Sequence, residues 1–134
     1  VSEIDWDALR AAAVAAAASA YCPYSGLRVG AAALVDDGRV VTGCNVENAS
    51  YGLGLCAECT LAGQLQLTGG GRLVALACRG GDGELLMPCG RCRQVIYELG
   101  GPACQVDTPA GPQPMTAVLP DAFGPHDLPA KGTA

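Results

Sequence analysis

Leu73-Val74-Ala75-Leu76-Ala77-Cys78 is an apolar run with no polar interruption. A stretch this short and continuous predicts a central strand buried on both faces. A helical segment precedes it, Cys56 to Leu67, stopped by Thr68-Gly69-Gly70-Gly71. A second follows it, about Gly90 to Leu99, introduced by Pro88 and stopped by Gly100-Gly101-Pro102. Upstream, Val29 to Val35 and Arg39 to Cys44 are apolar stretches joined by Asp36-Asp37-Gly38, which predicts a hairpin. Asp5 to Ala20 reads as an alanine-rich helix with Asp5 as N-cap, with Trp6, Leu9, Ala13 and Ala17 at helical spacing and Pro23 beyond its end. Asn45 to Leu55 is expected as a surface loop. Ala103 to Asp107 and Met115 to Val118 are expected as short strands, with Pro109 to Pro114 a loop between them. A leading hairpin followed by helix, strand, helix and strand predicts an α/β fold, helices layered on a mixed sheet.

The chain of 134 residues is read as one domain, 1–134, large enough to bury a core without covalent staples. Half of it is apolar, but much of that is alanine, and the formal net charge is −5. This acidity, with no basic run or aromatic–basic interleaving, argues against nucleic acid as a partner and suits a small neutral ligand. Val1-Ser2-Glu3-Ile4-Asp5 carries no basic targeting region, and the apolar run Ala11 to Ala18 is too short to span a bilayer. The expectation is a soluble cytoplasmic protein with no membrane partner. Lone His126, near a proline-rich C-terminus, is expected in solvent.

Eight cysteines would suit a secreted disulfide scaffold, but their grouping does not. They cluster as Cys56-Ala57-Glu58-Cys59 and Pro88-Cys89-Gly90-Arg91-Cys92, each where a loop enters a predicted helix. A helix N-terminus favours thiolate over thiol, and in a reducing compartment such clusters point to metal or redox chemistry. Three readings compete. Cys56, Cys89 and Cys92 could hold one catalytic zinc, leaving a fourth position for water beside Glu58. Cys56, Cys59, Cys89 and Cys92 could instead form a closed structural site of the zinc-ribbon kind. The cysteines could also be buried core residues without a metal. Chance core filling does not explain two C-x-x-C pairs. The ribbon reading places Cys59 one turn inside a helix, where a knuckle does not lie, and leaves Glu58 without a purpose. In the first reading the metal acidifies water and Glu58 moves protons.

Cys56-Ala57-Glu58 and Pro88-Cys89-Gly90-Arg91-Cys92-Arg93-Gln94 resemble the metal motifs of the cytidine deaminase family. The resemblance extends to Pro23-Tyr24-Ser25 with Val29-Gly30-Ala31-Ala32, to Gly43-Cys44-Asn45-Val46-Glu47-Asn48, and to Leu119-Pro120-Asp121-Ala122-Phe123, in order from about Tyr21 to Phe123. It implies a three-layer α/β/α sandwich around about five strands, one zinc per chain, and deamination of cytidine or 2′-deoxycytidine in pyrimidine salvage. It also implies that Asn45 and Glu47 bind the ribose 3′-hydroxyl and that the Ala57 N–H meets the pyrimidine carbonyl. Tyr51 and Phe123 match residues that reach the site from neighbouring subunits in short-chain members, which are homotetramers with shared active sites. Read without the resemblance, both could be core aromatics.

Related readings are a deaminase of a cytosine nucleoside antibiotic, against which Glu47 argues, and the structural-zinc module. Polynucleotide deaminases are disfavoured by the acidity, the short chain, and Cys56 where they place histidine. Two positions depart from the family pattern. Cys59 stands where many members carry an arginine that hydrogen-bonds the zinc thiolates, so Arg91 or Arg93 is expected to supply that charge. Leu27 stands where phenylalanine usually packs on the pyrimidine, which keeps an apolar wall but loses stacking worth on the order of 1 kcal/mol.

Overall fold

The computed structural model describes residues 3–129; residues 1–2 and 130–134, included in the single-domain reading above, lie outside them. The apolar run from Leu73 becomes β3 (Leu73–Gly80), the middle strand of a five-stranded sheet. The other strands are β1 (Val29–Val35), β2 (Val40–Cys44), β4 (Gln105–Thr108) and β5 (Gly111–Pro114), in the order β2-β1-β3-β4-β5. β1 runs antiparallel to both β2 and β3, β3 and β4 are parallel, and β4 and β5 form an antiparallel hairpin. The sheet is therefore mixed.

Helices cover both faces, giving three layers. On one side lies α1 (Trp6–Ala17), whose N-cap Asp5 accepts a hydrogen bond from the Ala8 N–H at 3.0 Å. On the other lie α2 (Ala57–Leu67) and α3 (Gly90–Gly100). Strand alternation sorts the core accordingly. Ala31, Ala33, Val35, Leu76 and Cys78 pack with Leu61, Leu65 and Ile96 beneath α2 and α3, whereas Ala32, Ala75 and Ala77 pack with Leu9 and Ala13 of α1. The α1 face is built almost wholly of alanine, and the consequence is close approach. A Cβ on Gly30 would lie 1.9 Å from the Ala13 carbonyl oxygen and 2.5 Å from the Ala17 nitrogen.

A buried carboxylate ties this layer together. Asp107 of β4 accepts from Arg10 of α1 at 3.1 and 3.0 Å and from Arg79 of β3 at 2.6 Å. Burial pushes the Asp107 carboxyl up, but the hydrogen bonds and charges of Arg10 and Arg79 outweigh it, and the net shift is downward.

The expected elements form with three corrections. α1 ends at Ala17, short of Ala20. The segment expected as a loop, Pro109 to Pro114, contains β5, in which Pro112 and Pro114 pair with Asp107 and Gln105. Proline is tolerated there because β5 is an edge strand whose outer N–H groups need no partner. Met115–Val118, expected as a strand, is a single helical turn, α4. Its buried residues are Met115 and Val118, a spacing of three that belongs to a helix.

Candidate active site

Both cysteine motifs open helices at one end of the sheet. Cys56 is the N-cap of α2 and Cys89 the N-cap of α3, and neither side chain caps its own helix. Their thiols are left to face each other, with Cys56 Sγ 3.9 Å from Cys89 Sγ. Cys92, one turn into α3, completes a group whose three sulfurs all lie within 4.8 Å of one another. Cys59 is not part of that group.

The seating of α2 that achieves this depends on Gly43 of β2. A Cβ there would lie 2.3 Å from the Ala57 carbonyl oxygen and 2.5 Å from both the Leu61 nitrogen and Thr60 Oγ1. Thr60 Oγ1 uses the space to accept from the Cys44 N–H at 3.0 Å and to donate to the Cys44 carbonyl at 2.8 Å. The first turn of α2 is thereby pinned to the sheet.

Tetrahedral zinc–sulfur bonds of about 2.3 Å place sulfurs about 3.8 Å apart, so the spacing of the trio suits a zinc ion. Charge argues the same way. Burial pushes the Cys56 thiol up, and burial followed by the Glu58 charge pushes Cys92 up strongly. Cys89 alone is lowered, first by the hydrogen bond from the Cys92 N–H. A cation would be needed to hold all three as thiolates beside a carboxylate.

Glu58 is 4 % exposed, in the first turn of α2 and facing the sheet. Its Oε2 accepts a hydrogen bond from the Cys78 thiol at 3.2 Å. Cys78 carries no role in the motif reading. It is the last residue of the apolar run, and only the tertiary fold, which brings the first turn of α2 to it, shows what it meets.

Glu58, Cys56 and Cys89 line a cavity of about 430 Å³, within the range of small-molecule sites. Leu27, Val29, Val46, Tyr51 and Leu55 supply its apolar walls, and Asn45, Glu47, Ala57 and Arg91 complete it. The structure thus gathers most of the residues singled out in the sequence. The 45–55 segment is held by reciprocal Val46–Leu55 backbone bonds and by Tyr21, whose N–H donates to the Asn45 carbonyl. Asn45 accepts from the Val29 N–H at 2.9 Å and donates to the Leu27 carbonyl at 2.8 Å, which fixes the approach to β1. Glu47 accepts from the Tyr24 and Ser25 N–H groups at 3.0 and 3.1 Å and from Ser25 Oγ. The Ser25 hydroxyl is the leading cause of its lowered pKa, so Glu47 is a carboxylate at neutral pH.

Arg93 and Phe123 stand apart from the cavity, and Tyr51 lines it from an exposed position. Arg93 donates to the Pro88 and Val118 carbonyls at 2.8 and 2.9 Å, so the structure commits its guanidinium to bracing α3 against α4 and not to the sulfurs. Phe123 does not line the cavity of its own chain; it is 59 % exposed, and its carbonyl accepts from Gln94. Tyr51 lines the cavity while 81 % exposed, in edge contact with Tyr24 at 6.3 Å. Neither is a core aromatic. His126 is exposed and lies 3.2 Å from Asp127, far in sequence from the cysteine trio.

Three sulfurs beside a buried carboxylate that lines a cavity, on an α/β/α sandwich, define an enzyme-type metal centre and not a closed structural knuckle. Residues 5–108 match the family model described as the cytidine and deoxycytidylate deaminase zinc-binding region. The chain is 63 % identical over 127 residues to the cytidine deaminase of Mycobacterium tuberculosis, covering 95 % of this chain and 96 % of that one. It superposes on a crystal structure of a mutant of the M. tuberculosis cytidine deaminase with a TM-score of 0.91 and 62 % identity, covering 94 % and 100 % of the two chains. The cytidine deaminase of Burkholderia pseudomallei follows at TM-score 0.78 and 43 % identity, covering 90 % and 100 %. The chain belongs to the cytidine and deoxycytidylate deaminase family of zinc-binding hydrolytic deaminases.

Proposed function

We propose that this protein hydrolyses cytidine and 2′-deoxycytidine to uridine and 2′-deoxyuridine plus ammonia, as a cytoplasmic enzyme of pyrimidine salvage. The observation that carries the reading is Glu58, buried beside the Cys56, Cys89 and Cys92 trio at a cavity of nucleoside size. In this reading the three cysteines hold one zinc ion per chain. Zinc so held supplies a Lewis acid that makes water nucleophilic at neutral pH.

Glu58 takes the proton released as water attacks the carbon bearing the amino group. It returns that proton to the ring nitrogen, then carries the proton of the hydroxyl now on that carbon to the amino group, so that ammonia leaves as the carbonyl forms. The Ala57 N–H, at the start of α2 where N–H groups lack helical partners, donates to the pyrimidine carbonyl. Asn45 and Glu47 take the ribose hydroxyl, each already oriented by backbone contacts. Leu27 and Val29 form the apolar wall against the base. Arg91, which lines the cavity, offsets the negative charge of three thiolates in this reading, while Arg93 supports the helix that carries two of them.

The protein further assembles as a homotetramer in which Phe123 and Tyr51 complete a neighbour's site. The exposure of both aromatics, and of Leu53 beside Tyr51, supports this. Eight unpaired cysteines support the cytoplasmic reading.

The deciding measurement is cytidine conversion, followed by the loss of cytidine absorbance with and without a zinc chelator, alongside metal content per chain. Turnover that persists after complete zinc removal would overturn the proposal. Glu58→Gln is expected to keep zinc and lose activity by several orders of magnitude. Cys59→Ser is expected to keep about one zinc per chain, and its loss would favour the four-cysteine site.

A further inference from the structure

Glu58 is the least exposed carboxylate facing the cavity, and a buried carboxylate needs donors to hold its orientation. Among the described residues, a single protein side chain donates to it: the Cys78 thiol, 3.2 Å from Oε2. Cys78 is 2 % exposed, near the end of the central strand, and its neighbours on the same face are core residues of the α2 and α3 layer. Burial, with the Glu58 charge next, raises its pKa well above the ordinary thiol value, so it remains an S–H donor throughout the neutral range. The contact joins the central strand to the first turn of the helix bearing the metal motif.

We propose that Cys78 is a positioning residue for catalysis: its S–H holds one oxygen of Glu58, which leaves the other turned toward the cavity for proton transfer. A side chain with three rotatable bonds would otherwise sample orientations in which neither oxygen meets the attacking water, and small misplacements are costly to proton transfer. Sulfur suits the position because its length bridges strand to helix and its apolar character fits the surrounding core. The inference rests on Glu58 being the group that moves the proton.

The test compares the full-length enzyme with Cys78→Ala, Cys78→Val and Cys78→Ser, measuring kcat and KM for cytidine, zinc content and Tm. Alanine and valine remove the donor, alanine leaving space and valine filling it, and serine retains it. The expected result is that kcat falls about tenfold in the alanine and valine variants, with KM within twofold and zinc retained, while serine recovers most of kcat. Should Cys78→Ala fold poorly, the valine–serine comparison decides alone. The inference is overturned if valine matches the parent, if serine falls as far as valine, if the change lies in KM, or if the variants shed zinc. Glu58→Gln is run beside them. An active Glu58→Gln enzyme would overturn the role of Glu58 and this inference with it, whereas an inactive one beside an unimpaired valine variant would overturn the role of Cys78 alone.

Discussion

Leu27 shows how much a single side chain at the cavity wall can be read for. It is half exposed, and its backbone is clamped by Ser25 Oγ and by Asn45. The clamp fixes where the side chain starts but leaves its end free at the cavity wall. Replacing it with phenylalanine adds an aromatic face worth on the order of 1 kcal/mol against a pyrimidine, with no buried neighbour to displace. Leu27→Phe is therefore expected to lower KM about fivefold with kcat unchanged, in steady-state assays with cytidine; an unchanged KM would contradict the packing argument. Cys59 is the other departure from the family pattern, and the structure keeps it out of the sulfur trio. The motif residues were legible because their spacing carries their chemistry. Cys78 was not, because its partner lies 20 residues away in sequence and meets it only once α2 is seated on the sheet.

At the scale of elements, Gly30 and Gly43 decide how closely α1 and α2 approach the sheet. Gly43→Ala should push the first turn of α2 off β2, because the added methyl meets backbone and not the tip of a flexible chain. The expected cost is about 3 kcal/mol, seen as a lower Tm and partial loss of zinc. Gly90→Ala, at a position open to solvent within α3, should be neutral or slightly stabilising. The strands and main helices could be read from apolar runs, the Asp36-Asp37-Gly38 turn, and helix caps and stops. The β4–β5 hairpin could not, since its second strand carries two prolines and only its place at the sheet edge makes that acceptable. Met115–Val118 was ambiguous for a different reason: four apolar-leaning residues are too few to show a period of two or of 3.6.

The Asp107 ion-pair cluster acts between layers, on the whole molecule. Because its carboxyl pKa is lower folded than unfolded, the cluster's stabilisation is present above the unfolded carboxylate range, near pH 4, and is lost as pH falls through the folded value. Asp107→Asn should cost about 3 kcal/mol at neutral pH, since it strands Arg79 in a buried position. It should also flatten the acid limb of a plot of Tm against pH. An acid limb of unchanged steepness would assign the effect to other carboxylates. Assembly belongs to this scale too. If Phe123 completes a neighbour's site, Phe123→Ala should raise KM in a protein that still elutes as a tetramer in light-scattering chromatography.

The alanine face beneath α1 has a dynamic consequence. Small side chains bury little area, so α1 adheres by closeness of backbone and by the Arg10–Asp107 clamp, whereas α2 and α3 rest on leucines and isoleucine. The two sides of the sheet should therefore open separately. In amide hydrogen exchange, α1 is expected to lose protection at a lower opening free energy than α2, and high salt should widen the gap by weakening the clamp. Partial unfolding would begin on the face that carries no catalytic group, which leaves the sulfur trio and Glu58 assembled while the opposite layer breathes.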